Sequence, residues 1–245
     1  MIIEKGEPRK IQLGELTIEV IRKKIKNVHL SVYPPNGTIR VSAPDTLSLE
    51  TIRVFLVSKL GWIRKQQEKL RTQERESARE YVDRESHFFN GNRYLLKVIE
   101  HDAPAKVELK PKTIELHVKP GTSKEKRQVI VNEWNRKQLK KSIPAIIRKY
   151  EKLMNVKIHD FGVKKMKTKW GTCNVGAKRI WLNLELAKKP GEYLEYVVVH
   201  EMAHLLEPTH NNRFITLMDQ FMPKWKFYRD ELNRLPVGHE DWSKT

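Results

Sequence analysis

The chain has a single cysteine, Cys173, in 245 residues. One thiol excludes an internal disulfide framework and points to a reducing compartment. No apolar run approaches the roughly 20 residues that a membrane-crossing helix needs. The first ten residues, MIIEKGEPRK, lack the apolar centre of a secretory signal. The expectation is therefore a soluble cytoplasmic protein with no membrane partner. No glycine-rich stretch ends in Lys-Ser or Lys-Thr, which excludes a phosphate loop of that type, and no acidic cluster suggests a magnesium site. Acidic residues are few, 30 against 48 Lys and Arg, for a net charge of +18. That surplus favours anionic partners such as nucleic acid, nucleotides or acidic polypeptide, or else it is a solvated lysine-rich surface. Charge does not by itself identify a reaction. The length suits one large domain or two small ones, and leaves oligomeric state open.

What the chain does have is the stretch Tyr196 to Phe214, YVVVHEMAHLLEPTHNNRF. Its centre is His200-Glu201-Met202-Ala203-His204. On an α-helix, residues four apart share a face, so both imidazoles point the same way, with His204 about 40° round from His200 and Glu201 on the same flank. Two neutral imidazoles can hold Zn²⁺, and the carboxylate beside them can take a proton from a water activated there. The alternative is a pair of satisfied core histidines. Leu194, Val197, Val198, Val199, Met202 and Leu205 make the helix apolar nearly all round, so it belongs in an interior, where polar groups are costly unless something binds them. Pro208 ends the helix. His210 follows six positions after His204, where a chain that doubles back can add a third ligand. Glu207 occupies the place of a turn glycine in the zinc proteases with a third histidine at this spacing, so the turn must be made differently. Glu231 is the lesser candidate for a third ligand. Tyr193, seven positions before His200, is a weak candidate for stabilising an oxyanion. Cys173 invites a nucleophile reading, but a metal-assisted mechanism needs no thiolate and a small buried cysteine explains the position.

The run Lys169 to Trp225 resembles the YgjP-like metal-dependent hydrolases, a zincin family related to the SprT-type and WLM-type metalloproteases. The segments that carry the resemblance are Lys169-Trp170-Gly171-Thr172-Cys173, Ile180-Trp181-Leu182-Asn183, Tyr196 to His204, His210-Asn211, Phe214 and Pro223. The family usually has serine at Thr172. The resemblance implies that His200, His204 and His210 are metal ligands and that Glu201 is the catalytic acid/base. Members are labelled metallopeptidases, unspecified metal-dependent hydrolases and, in places, UTP pyrophosphatases.

Residues 1 to 45 alternate as strands, with Leu16–Ile21, Val28–Val32 and Thr38–Val41 forming a small antiparallel sheet around a turn at Pro34 to Gly37. Arg22, Lys23, Lys24 and Lys26 read as a solvated basic connection. Ser48 caps a helix over about 48–75, with Ile52, Phe55, Leu56, Leu60 and Ile63 buried, and Arg64 to Arg79 is a polar helical extension or a linker. Strands return at Ser86, Tyr94–Val98, Lys106–Leu109 and Thr113–Val118, with a turn at Asn90-Gly91-Asn92. His101 and His117 read as surface or structural residues. Pro120-Gly121 marks a boundary. Ser123 to Met154 is helical and basic, with Val131, Trp134, Ile143, Ile147 and Tyr150 facing the core and Pro144 expected to kink or break it. Val156–Lys167 reads as strand, Gly171 suits a tight backbone path, and either Lys165–Cys173 or Ile180–Leu184 is the strand that would hold extended substrate. The tail after Pro236, with His239, is polar.

The fold expected is α+β, with an N-terminal β-rich region over 1–121 and a zincin-like catalytic domain over 122–245. The function expected is a zinc-dependent hydrolase acting on peptide or protein. The alternatives are nucleoside triphosphate hydrolysis of the UTP type and a nucleic-acid-associated module with a structural metal. One Zn²⁺ is the expected cofactor, and other divalent transition ions suit the same ligands.

Overall fold

The computed structural model describes residues 9–33, 37–72, 79–166 and 169–234. The chain forms two compact units, Met1–Glu74 and Arg75–Glu240.

The first unit carries strands β1 (Arg9–Leu13), β2 (Leu16–Lys23), β3 (His29–Tyr33) and β4 (Thr38–Pro44) in the order β1-β2-β4-β3. Alternate side chains point to one face, so Ile18 and Val20 on β2 and Ile39, Val41 and Ala43 on β4 are buried together. The sheet is mixed rather than wholly antiparallel, because β2 and β4 run parallel. The β3–β4 hairpin folds back so that β4, not β3, lies beside β2. Two helices, α1 (Leu49–Ser58) and α2 (Leu60–Thr72), follow in place of the single one expected. Ser48 Oγ accepts from Thr51 N at 3.1 Å and starts α1. The N–H of Lys59 turns back to the carbonyls of Leu56 and Val57 and separates the two. Ile52, Leu56 and Ile63 pack on the buried face of the sheet.

The second unit opens with β5 (Ser86–Phe89), β6 (Asn92–Glu100), β7 (Lys106–Leu109) and β8 (Thr113–Val118), in the order β5-β6-β8-β7. The outer pairs are antiparallel and the central β6–β8 pair is parallel. This repeats the first sheet strand for strand. Asn90 and Gly91 both have positive φ, 47° and 78°, as a tight hairpin turn requires. A Cβ at Gly91 would lie 2.7 Å from Pro190 Cγ. The N–H groups of Asn90 and Gly91 donate to the carbonyls of Ala187 and Lys188, at 2.9 and 3.2 Å.

Helix α3 (Lys124–Met154) starts at Ser123 and ends where Asn155 turns left-handed at φ 52°. Its first half puts Val131 into the core of the β5–β8 sheet. Its second half puts Leu139, Ile143, Ile147, Tyr150 and Met154 into a larger core behind the candidate site. The helix runs through Pro144 without a break. Buried Ile143 and Ile147 anchor the two sides of the proline and outweigh the one lost hydrogen bond. The turn at Pro120-Gly121 is real, with Gly121 at φ 72°, but it lies inside the second unit, and the compact units divide at residues 74 and 75.

Beyond α3 lie β9 (Asp160–Lys164), β10 (Gly171–Asn174) and β11 (Arg179–Asn183), in the order β10-β11-β9. A short 3-10 turn, Leu184–Lys188, leads to helices α4 (Gly191–Ala203), α5 (Asn212–Phe221) and α6 (Trp225–Arg234). No helix among the described residues is long and apolar enough to cross a membrane. Residues 73–78 and the tail with His239 lie outside the described residues.

Candidate metal centre

Helix α4 is an interior helix. Leu194, Val197, Val198, Val199, Met202 and Ala203 are all buried. His200 sits in its last turn and His204 caps its end. The next turn brings His210 back, so that one ring nitrogen from each of His200, His204 and His210 falls within 4.8 Å of the others. Nε2 of His200 and Nε2 of His210 are 3.0 Å apart. Two ligands of one tetrahedral zinc at about 2.0–2.1 Å would be roughly 3.3 Å apart. Nδ1 of His204 hydrogen-bonds the carbonyl of Glu207 at 3.2 Å, which leaves its Nε2 for the centre of the trio. Burial, then the neighbouring His204 and His210, pushes the His200 imidazole down to about 3, and burial lowers His204 as well. His200 and His204 are thus held neutral near pH 7 and offer lone pairs. A trio of converging lone pairs fits a divalent cation.

The turn that delivers His210 needs no glycine. Glu207 is not among the residues with positive φ. Its carboxylate instead accepts from Thr209 N and Thr209 Oγ1, at 3.2 and 2.9 Å. Asn211 Oδ1 then accepts from Phe214 N at 3.1 Å and starts α5. Phe214, 1% exposed, lies against all three imidazoles, with ring centroids 4.7 to 5.0 Å away. The sequence marked Phe214 as core. Its role as the common floor of three rings needed the fold. Glu231 is elsewhere engaged, with Arg234 at 2.9 Å.

Glu201 is 5% exposed. Burial pushes its carboxyl up to about 7, and nearby Lys169 pulls the other way. A cation bound at the trio would draw it lower. Gly171 on β10 makes room for it. A Cβ there would lie 2.6 Å from Glu201 Oε1. Asn183, 4% exposed, fixes the approach to β10. Its Nδ2 donates to the carbonyls of Met166 and Lys169 at 2.9 and 2.8 Å, and its Oδ1 accepts from the N–H of Met166 and Glu185. A lone asparagine closing an otherwise apolar strand was the available signal for it. Cys173 lies on β10 with Gly171, and burial, then Glu201, pushes its thiol up to about 11. It stays protonated and is a poor nucleophile.

The three histidines, Glu201, Gly171 and Cys173 line a cleft of about 420 Å³ that also includes Trp170, Tyr196, Arg229 and Leu232. Strand β10 is the edge of its sheet and β11 is central. Of the two strands expected to hold substrate, only Gly171–Asn174 is therefore a sheet edge among the described residues. Tyr193 is not part of the cleft lining and contacts Tyr228 instead, at 6.0 Å between ring centroids. The cleft phenol is Tyr196, which burial keeps protonated, up to about 12. The basic face of α3 is partly neutralised, since Lys124, Arg127, Arg136 and Lys149 pair with Glu80, Glu100, Glu133 and Glu195.

Among known proteins, a family model for the YgjP-like metallopeptidase domain matches residues 26–235. No curated protein matches the chain. Among solved structures, the crystal structure of the metallopeptidase zymogen of Pyrococcus abyssi abylysin is 18% identical, over 39% of this chain and 99% of that one, at a TM-score of 0.35. So slight a likeness assigns no role to any residue here.

Proposed function

The chain belongs to the YgjP-like metallopeptidase family, and from that premise we propose that it is a zinc-dependent peptidase in which His200, His204 and His210 hold the ion. When bound, the ion supplies Lewis acidity toward the scissile carbonyl and makes water acidic enough to attack near neutral pH. Glu201 takes the proton of the attacking water and passes it to the leaving amine. Burial raises its carboxyl, and a bound ion would oppose that rise. The protonated Tyr196 phenol and Arg229 line the same cleft and are donors for the oxygen that gains charge. The sheet edge at β10 offers backbone groups to an extended peptide. The observation that carries the reading is the convergence of the three imidazoles beside a buried carboxylate.

The test compares wild type, Glu201→Gln and chelator-treated protein on unfolded protein substrates and on nucleoside triphosphates. Peptide cleavage lost in the variant and after chelation, and regained with Zn²⁺, is the expected result. Cleavage of UTP with no cleavage of peptides would move the assignment to nucleotide hydrolysis. Salt-dependent nucleic-acid binding with neither activity would move it to a binding module.

A further inference from the structure

The β5–β8 sheet carries a second group of metal-ligating side chains, on different elements from the three helix histidines. Glu108 on β7 and Glu115 on β8 are directly opposite one another in the antiparallel register. Like charges in that relation repel unless something lies between them. His117 is two residues beyond Glu115, on the same face of β8. One donor atom from each of the three falls within 4.8 Å of the others.

The imidazole is held as a ligand's would be. His117 Nδ1 is hydrogen-bonded to His101 Nε2 at 3.2 Å. A metal-binding histidine characteristically spends its second ring nitrogen on a hydrogen bond that fixes the ring, commonly to a carboxylate, carbonyl or water, and for His117 that place is taken by His101. The other nitrogen, Nε2, is shut off from solvent with no hydrogen-bond partner. It lies 3.9 Å from Glu115 Oε2. The cations already present leave that oxygen open. Lys97 takes Glu115 Oε1 at 3.2 Å, while Lys106 and Lys110 take Glu108 Oε1 and Oε2 at 2.7 and 2.9 Å. An incoming ion therefore competes with a lysine only at Glu108.

We propose that His117, Glu115 and Glu108 form a second site, for a first-row divalent transition ion, oriented by His101. One imidazole and two carboxylates suit zinc, cobalt, nickel or manganese better than calcium or magnesium, which take oxygen ligands alone. The first sheet provides a comparison within the molecule. In the matching register it has Ser31 opposite Arg40 and His29 opposite Ser42, and no carboxylate pair.

Zn²⁺ titrated into the full chain, followed by calorimetry and elemental analysis, tests the proposal. Wild type is expected to take two ions per chain, His117→Ala one, and His200→Ala/His204→Ala one. A second equivalent that survives His117→Ala, or a wild type whose only ion is lost in His200→Ala/His204→Ala and kept in His117→Ala, overturns it. Glu115→Gln keeps size and polarity should the histidine variant fold poorly, and is expected to weaken the second ion at least tenfold; unchanged affinity overturns the proposal equally. Lys106→Met removes the competitor at Glu108 Oε1 and is expected to tighten the second ion several-fold; no tightening overturns the role of Glu108. The two sites are lost in different variants, so failure of this inference and failure of the peptidase reading are told apart.

Discussion

The sheets β1–β4 and β5–β8 share strand order, strand directions and the way they hand over to a helix. Thr38-Ile39-Arg40-Val41 and Thr113-Ile114-Glu115-Leu116 occupy the same place, 75 positions apart, and bury Ile39 and Val41 in one case, Ile114 and Leu116 in the other. Ser48 and Ser123, again 75 apart, start the helices next in the chain. Even the ion pair across the parallel strands recurs with its polarity reversed: Glu19 with Arg40, and Lys97 with Glu115. The two regions differ in the helix attached to the sheet. In the first, α1 is 10 residues and closes a core of its own. In the second, α3 is 31 residues, and its far half backs the histidine helix. The same sheet thus serves once as a self-contained module and once as the base for the core around the three histidines, and the chief distinction is the length of the helix attached to it.

The comparison breaks most sharply at Glu201. If chemistry belongs only to the elements beyond α3, Glu201→Gln should lower kcat by about 10²- to 10⁴-fold with zinc content unchanged, measured by peptide cleavage and elemental analysis. Full activity in that variant would remove the second region's distinction. Gly171→Ala comes next. The Cβ it adds would meet Glu201 Oε1 at 2.6 Å, so activity should fall by one to two orders of magnitude while the metal stays bound.

Matched core changes sharpen the comparison. Ile39→Ala and Ile114→Ala should each cost about 2–5 kcal/mol, read by denaturant melts. Only Ile114→Ala should also weaken zinc binding. Equal effects on zinc would show that the two sheets are not independent. The charge of Glu201 gives a smaller effect. Its carboxyl is about 7 in the fold against 4.5 for the ordinary group. The folded state therefore holds the extra proton. That contribution is full below about pH 4.5 and is lost as pH rises to about 7, amounting to ~3 kcal/mol. Metal-free wild type should lose stability relative to Glu201→Gln across that window, in paired melts at several pH values. The smallest effect is at the mirrored ion pairs. Arg40→Glu should cost about 1 kcal/mol or less, and adding Glu19→Lys should restore it, since partly exposed pairs are worth little.

The convergence of the three rings was legible because the spacing of His200 and His204 fixes a shared helix face, and because Pro208 forces the chain to turn before His210. The span of α3 was legible from Ser123 and the apolar stripe. Other features depend on partners distant in sequence. Turn residues mark a bend but do not say whether a unit ends there, so Pro120-Gly121 suggested a boundary inside a unit. Hairpin signals reveal neighbours in sequence, so the parallel β2–β4 and β6–β8 pairs were hidden. The repeat was hidden too, because what recurs is the alternation of buried positions in Thr38–Pro44 and Thr113–Val118 and few identities. Asn183 and Tyr196 acquire their roles only from the neighbours the fold places beside them.

Strand β10 ends its sheet among the described residues, and a sheet edge is a template for any extended chain, an unfolded stretch of a sibling molecule included. Mutual repulsion between copies that each carry +18 guards against such self-engagement. The surplus of lysine and arginine then acts as a colloidal safeguard, whatever else it binds. Physiological salt shortens its reach to about 8 Å, so the guard works at close quarters, where a stray strand would have to arrive.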